Sequence, residues 1–307
     1  MLTDLRFLTD AVSADPPKNI TPQAIPCVSQ LSTLYVHSKN VSRLLGTKDF
    51  HTLRELRIGF FGDSSLPYSL IFTQFPELEI LELTFCSRVD PSSESMTVMH
   101  TLPHLHTFIF VEDVTNKYAH LRLLGMFSTP VLKSLAIKSP GDGEGTHLSN
   151  FLLRCGGQLR QLMLAVGKMS FRGLQVVGFT QHTPLLETLS VAGSSGLFFV
   201  DLTTCPTLVL SQIDILTEYG EDVMAAILPI LSQWSAGRVK ERATTVSPFT
   251  IRVHRDYLSQ MLNDQESKKW ILRGLRVVPL SSDDVYWWKS EYSMWFRYMT
   301  DLRHPPS

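Results

Sequence analysis

The feature that most constrains this chain is a line of sequence that returns at a fixed interval. Pro76-Glu77-Leu78-Glu79-Ile80-Leu81-Glu82-Leu83 reads P-x-L-x-x-L-x-L. Leu105-x-x-Phe108-x-Phe110 follows Pro103, Leu132-x-x-Leu135-x-Ile137 follows Pro130, and Leu186-x-x-Leu189-x-Val191 follows Pro184. Leu159-x-x-Leu162-x-Leu164 is the same line with Gly157 in the proline's place. The leading leucines stand at 78, 105, 132, 159 and 186, always 27 residues apart. A constant period of this length marks an architecture built by stacking one small unit on the next.

Each line is a candidate short strand. Apolar residues two apart point to one face, which must be buried, and the residues between them point to the other. Weaker copies precede the regular set. Leu31-x-x-Leu34-x-Val36 and Leu53-x-x-Leu56-x-Ile58 come at steps of 53−31 = 22 and 78−53 = 25 residues. Between the lines lie apolar residues at helical spacing: Met96, Met99 and Leu102; Tyr118, Leu121, Leu124 and Met126; Leu148, Phe151 and Leu152; Leu174, Val177 and Phe179. Most of these segments stop at the proline that opens the next line. The unit is therefore strand, loop, helix, turn. The fold class expected is α/β: a leucine-rich-repeat solenoid, or horseshoe, with parallel strands on the concave side and helices on the convex side. A doubly wound sheet also alternates strand and helix, but its strands would be longer and β-branched, and its period would not hold over five copies.

The pattern divides the chain into four. Residues 1–30 are expected as an N-terminal helix or cap, because Leu5, Leu8 and Val12 are helically spaced and Asp15-Pro16-Pro17 ends the pattern. Residues 31–215 carry the repeats. Residues 216–280 hold degenerate terminal repeats and an inserted helix, from about Asp222 to Trp234 with Pro229 inside it, and Gly237 to Ser247 reads as a loop. The line after Pro206 can be read from Leu208, Leu210 and Ile213 or with Cys205 leading. Ile251-x-Val253 and Leu272-x-x-Leu275-x-Val277 look like two late strands. Residues 281–307 carry Trp287, Trp288, Tyr292, Trp295, Phe296, Tyr298 and Met299, a stripe expected on a C-terminal capping helix, with docking of a partner the alternative.

Composition excludes some classes. There are 28 Lys and Arg against 29 Asp and Glu, a net charge of −1, which offers no strong field for nucleic acid or anionic lipid. No run of about 18 apolar residues is present to span a bilayer, and the first residues lack a secretory leader's apolar core. Neither nucleic acid nor membrane is expected as a partner. The four cysteines, at 27, 86, 155 and 205, form no C-x-x-C, so reduced thiols inside the cell, in cytoplasm or nucleus, are the simpler reading.

Candidate chemistry is sparse. His100, His104 and His106 sit on different predicted elements, with no acidic residue at a ligand spacing. Gly141-Asp142-Gly143-Glu144-Gly145-Thr146 is glycine-rich but lacks the lysine of a phosphate loop; a loop before a helix, with Thr146 as a candidate N-cap, fits better. Ser194-Ser195 between Gly193 and Gly196 does not match G-x-S-x-G, and Asp283-Asp284 reads as a helix start. No nucleophile, base and orienting group combine, so no enzyme and no cofactor or metal is expected. Cys86 completes L-x-x-L-x-L-x-x-C, a position that takes Asn or Cys in this repeat class; Asp113, Pro140, Gly167 and Ser194 stand there in the other copies.

The residue between the last two apolar positions of each line points to the concave face. That column reads Tyr35, Arg57, Glu82, Ile109, Ala136, Met163 and Ser190, with Thr107, Val111, Ala165 and Ala192 beside its middle. It is charged and aromatic toward the N-terminal end and small or apolar in the middle. An apolar run exposed on such a face is a contact site for a protein segment, unless a C-terminal or loop segment of the same chain covers it.

Lines of the type FPELEILEL, LPHLHTFIF, TPVLKSLAI and TPLLETLSV, with helices between them and a loose C-terminal end, resemble the repeat region of fungal F-box-like leucine-rich-repeat proteins. The resemblance covers about residues 31–215 and extends toward 280. It implies a non-catalytic protein-interaction module, the substrate-recognition part of an F-box-like ubiquitin-ligase receptor, with the column above as its partner-binding face. An F-box is a helical N-terminal module with an L-P-x-E-like start that binds a Skp1-type adaptor; residues 1–30 are shorter than that module and lack its pattern, which sets the adaptor in question. The alternative is a regulator of an enzyme, a GTPase activator or inhibitor on the same scaffold, although those carry an acidic tail and this chain ends in Trp-rich, near-neutral sequence.

Overall fold

A computed structural model describes residues 4–8, 30–37, 50–60, 68–85, 99–112, 120–139, 145–166, 179–192, 210–216, 232 and 249–280. Thirteen strands occur among them. They are β1 (Asp4–Leu8), β2 (Thr33–His37), β3 (Glu55–Phe60), β4 (Ile80–Phe85), β5 (His100–Thr101), β6 (Thr107–Glu112), β7 (Phe127–Ser128), β8 (Ser134–Ser139), β9 (Gln161–Val166), β10 (Thr188–Ala192), β11 (Gln212–Leu216), β12 (Phe249–Val253) and β13 (Leu275–Pro279). The helices are α1 (Tyr68–Gln74), α2 (Gly145–Cys155), α3 (Phe179–His182), α4 (Arg255–Asn263) and α5 (Gln265–Ile271), with 3-10 turns at His120–Met126 and Gly156–Gln158.

Eleven strands form one sheet in the order β1-β2-β3-β4-β6-β8-β9-β10-β11-β12-β13, and β5 pairs with β7 in a second, two-stranded sheet. Every pairing is parallel. The chain is thus α/β, and the large sheet runs through its strands in sequence order without the reversal that defines a doubly wound sheet.

One turn is reused at the entries to β3, β4, β6, β8, β9 and β10. Leu53, Leu78, Leu105, Leu132, Leu159 and Leu186 each donate a backbone N–H to the carbonyl three residues earlier, at 3.0 to 3.4 Å. The next two N–H groups then reach across to a single carbonyl of the preceding strand line. Glu79 and Ile80 donate to Arg54, His106 and Thr107 to Glu79, Lys133 and Ser134 to His106, Arg160 and Gln161 to Lys133, Glu187 and Thr188 to Arg160, all at 2.7 to 3.1 Å. A constant sequence spacing therefore becomes a constant register: Leu81, Phe108, Leu135, Leu162 and Leu189 are mutual neighbours along the sheet.

The leucine face is the core. The leading leucines from Leu31 to Leu186 and the two apolar positions that follow are buried, Val191 only partly, together with Ile71 and Phe72 of α1, Leu121 and Leu124 of the first 3-10 turn, Leu148, Phe151 and Leu152 of α2, Met261 of α4 and Trp270 of α5. Phenylalanines join the layers. Phe127 lies 4.8 Å from Phe72, 5.2 Å edge-on from Phe108 and 5.5 Å from Phe151, ring centre to ring centre. These are ordinary attractive geometries between aromatic rings.

Several elements depart from the sequence expectations. Residues 4–8 are a strand paired with β2, not part of a helix, and Leu5 aligns with Leu34. Leu5-Arg6-Phe7 carries the same two-residue alternation as the later lines, and sheet pairing favours that period over the helical one. His100–Thr101, expected at the end of a helix, forms β5. Helix α2 begins at Gly145, so Thr146 lies inside its first turn rather than at the cap. Beyond Pro206, β11 aligns Ile213 with Leu189 and Ile215 with Val191. The line is therefore Leu210-x-x-Ile213-x-Ile215, and neither Leu208 nor Cys205 leads it. Ile251 and Val253 lie in β12, and Leu275 and Val277 in β13, as read from the sequence, but Leu272, expected to lead the last line, is exposed and outside the core. Cys86, the 222–234 segment apart from Ser232, the 237–247 segment, Ser194-Ser195, Asp283-Asp284 and the aromatic segment 281–307 lie outside the described residues.

Gly156 marks the tightest approach. A Cβ there would stand 2.5 Å from the His182 carbonyl oxygen and 3.0 Å from Thr183 Cγ2. The equivalent places in other copies hold Phe75, Leu102, Thr129 and Thr183, so the junction of α2 with α3 alone demands glycine. Backbone cannot yield as a side-chain tip does, so Gly156→Ala is expected to cost about 1–3 kcal/mol, read as a lowered midpoint in urea with unchanged slope.

Candidate functional site

The structure sets the column Tyr35, Arg57, Glu82, Ile109, Ala136, Met163 and Ser190 side by side. Each is the register partner of the next across β2, β3, β4, β6, β8, β9 and β10. The row continues into Asp214 of β11, Arg252 of β12 and Val278 of β13. It lies on the face opposite the leucine core: its apolar members are absent from that core, whereas every described helix of eight or more residues contributes to it.

The row is not open to water. From Tyr35 through Asp214 every member is at most 7% exposed, and Ile109 is at 0%. The expectation of an exposed apolar run is thereby corrected: these side chains form a floor, not a surface. Lying in a strand position that faces away from the core says where a side chain points, not whether something lies above it.

Two polar clusters flank the apolar middle. At one end the Arg57 guanidinium meets Glu82 Oε2 through Nη1 at 3.0 Å and Glu55 Oε1 through Nε at 2.7 Å and Nη2 at 2.6 Å. The Tyr35 hydroxyl donates to the same Glu55 oxygen at 2.9 Å, and Arg57 Cζ sits 5.2 Å from the centre of the Tyr35 ring. Charge, hydrogen bonding and cation–π attraction all hold one guanidinium. At the other end Asp214 accepts from Arg252 Nε at 2.7 Å and Nη2 at 2.6 Å, a bidentate pair. Ser190 Oγ donates to Asp214 Oδ2 at 2.9 Å and Gln212 Nε2 to Oδ1 at 3.0 Å, so each carboxylate oxygen accepts two hydrogen bonds. Asp214 and Arg252 were missed in the sequence; the signal was the line led by Leu210, which places Asp214 in the column.

The rim of this face is accessible. The row one step toward the strand entries reads Thr33, Glu55, Ile80, Thr107, Ser134, Gln161, Thr188, Gln212, Thr250 and Arg276; only Thr107 is buried, and Gln161 and Arg276 are exposed. Just before it run the entry residues, which pair between repeats. Arg54 meets Glu79 at 3.1 Å, His106 meets Glu79 at 3.7 Å, Arg160 meets Glu187, and His104 meets Glu77 at 3.9 Å. Ser134 Oγ donates to Gln161 Oε1 at 3.1 Å. The accessible Arg–Glu pairs contribute about 0–1 kcal/mol each, so the rim is free to exchange partners at little cost.

The three histidines go to three environments: His100 against the Phe72 ring at 5.8 Å, His104 to Glu77, and His106 to Glu79 and the Thr107 hydroxyl. Among the described residues no three His, Cys, Asp or Glu side chains converge as metal ligands would. Cys155 is a buried free thiol that accepts the Thr129 N–H at 3.3 Å. No described helix is long and apolar enough to cross a membrane. No protein-family model matches this chain, and a search among curated proteins returns no match.

Burial turns two substitutions into stability tests. Ile109→Asp or Met163→Asp would place an unpaired carboxylate in the closed floor, at a cost on the order of 4 kcal/mol. Each is expected to lower the thermal midpoint sharply, as read by circular dichroism. In the polar cluster, Glu82→Ala removes one of Arg57's two carboxylates and should cost about 1–3 kcal/mol, since Glu55 still holds the guanidinium; Glu55→Ala/Glu82→Ala, which strands Arg57, should cost more, about 3–5 kcal/mol, as measured by urea unfolding of both variants.

Proposed function

We propose that this chain is a non-catalytic protein-interaction module, a leucine-rich-repeat horseshoe that reads a partner with the strand face opposite its leucine core. The observation that carries this reading is the in-register stacking of lines 27 residues apart. Such stacking sets one side chain per repeat about 4.8 Å from the next, the way repeat proteins build extended recognition surfaces. The column Tyr35, Arg57, Glu82, Ile109, Ala136, Met163 and Ser190 is the floor that fixes this face. The half-exposed row above the entries, with Ser134 and Gln161 at its centre, is what the partner touches. The resemblance to the F-box-like repeat region makes the substrate-recognition part of a ubiquitin-ligase receptor the specific form of the proposal. The buried free thiol of Cys155 suits a reducing compartment, cytoplasm or nucleus.

The test is affinity purification of the tagged full chain with quantitative mass spectrometry, beside the variant Ser134→Glu/Gln161→Glu. Both positions are accessible, so the variant should fold with an unchanged thermal midpoint. The expected result is a partner whose recovery falls at least about tenfold in the variant, the scale of two disrupted polar contacts. Recovery of a Skp1-type adaptor and a cullin with that partner supports the ligase form; the partner alone supports recognition without it. A partner set identical in both samples would refute the face.

A further inference from the structure

A different surface closes the C-terminal end of the described sheet. Strand β13 is its last member, with a neighbour on one side only among the described strands. Leu280 donates its N–H to the Val253 carbonyl at 2.7 Å. Residues alternate direction along a parallel strand, so Arg276 and Val278 also face β12, while Leu275 and Val277 turn their backbone groups outward. Pro279 falls in the outward set and has no N–H to offer. The usable edge is therefore short and centred on Val277.

Around it the surface is basic with one bare apolar side chain. Lys268, Lys269, Arg273 and Arg276 fall within nine residues, and no acidic residue occurs between Glu266 and Asp283. All four are exposed; Lys269 pairs with Glu266, and the chain as a whole carries −1. Leu272, between α5 and β13, is 88% exposed, the most exposed of the large hydrophobic residues described. Gly274, at φ +95, is the left-handed residue that turns the chain from α5 into the strand, so Leu272 is held on the outside of a defined corner rather than on a tail. Val277 and Val278 are half-buried, one toward each face of the edge.

We propose that this corner binds an extended acidic peptide segment of a partner protein by adding it as a strand beside β13. The outward N–H and C=O of Val277 pair with the peptide backbone. Its apolar residue packs on Leu272 and Val277, the carboxylates that alternate with it meet Arg276 on the other face, and carboxylates beyond the paired stretch meet Lys268 and Lys269. A backbone edge unpaired among the described strands favours a peptide over an anionic lipid surface, which would use the charges and Leu272 but not the edge. This site shares only Arg276 with the rim row, and its test reads a peptide beside β13 without depending on that reading.

The probe is a fluorescein-labelled peptide of alternating glutamate and valine, titrated with the full chain and followed by anisotropy. Saturable binding is expected, weakening as salt rises. The lysine–valine peptide and a peptide N-methylated on alternate residues should each bind at least about tenfold more weakly, the first through charge and the second through lost strand pairing. Lys268→Glu/Lys269→Glu/Arg276→Glu should lose binding about a hundredfold, and Leu272→Asp, at an exposed site that cannot unfold the chain, about fivefold. Equal binding of the lysine peptide, full binding of the N-methylated one, or unchanged affinity in the charge-reversed variant would each overturn the proposal. So would sedimentation of the chain with phosphatidylserine vesicles without any peptide binding.

Discussion

The sheet depends on one repeated hydrogen-bonding event: from β3 through β11, two successive N–H groups at the strand entry converge on one carbonyl of the strand before. That event ties the register of each of these strands to its predecessor. Without it the leucine lines would be amphipathic segments with no fixed neighbour, since hydrophobic attraction is not directional. With it, the sequence position of a leucine decides its position in space, and a 27-residue step becomes a lateral step of one strand. The prolines and the glycine of the lines fit this requirement, because a tight turn must hand the chain to the strand at the same height each time.

Much of this was legible because the leucine face has to be buried and its pattern has few alternatives. The lines at 31, 53, 78, 105, 132, 159 and 186 all became paired strands, and the column of the opposite face came out in the order read. The failures share a cause. Residues 4–8, 99–102 and the stretch after Pro206 carry apolar residues that satisfy two periods at once, and short segments of that kind are decided by what they lie beside. Pairing with β2 made a strand of the first, and β7 made one of the second. For the third, the order of β10 and β12 left one register.

The candidate site was legible in position and not in exposure. Alternation along a strand says that Ile109 and Met163 turn away from the leucine core, and they do. It carries no information about depth, and both are buried. The same limit hid the value of the row beside them, whose Ser134, Gln161 and Thr188 look unremarkable in sequence yet keep access to water. A polar floor such as Arg57 with Glu55 and Glu82 is equally invisible, because its partners lie 2 and 25 residues away and meet only after the sheet has formed.

That floor has a further physical consequence for the fold. Near-identical strands leave an apolar face almost indifferent to sliding by two residues, since leucine would still meet leucine. The opposite face is not indifferent. Sliding β4 by two residues toward the β3 entry would set Glu82 opposite Glu55, like charge against like, and leave Arg57 opposite Thr84. Sliding β11 likewise would take Asp214 from Ser190 and Arg252 and leave a buried carboxylate short of its hydrogen bonds. Such losses cost several times what an apolar mismatch does. The leucine lines thus supply the attraction between repeats. The two polar clusters, one near each end of the row, make a single alignment of those repeats much better than its neighbours.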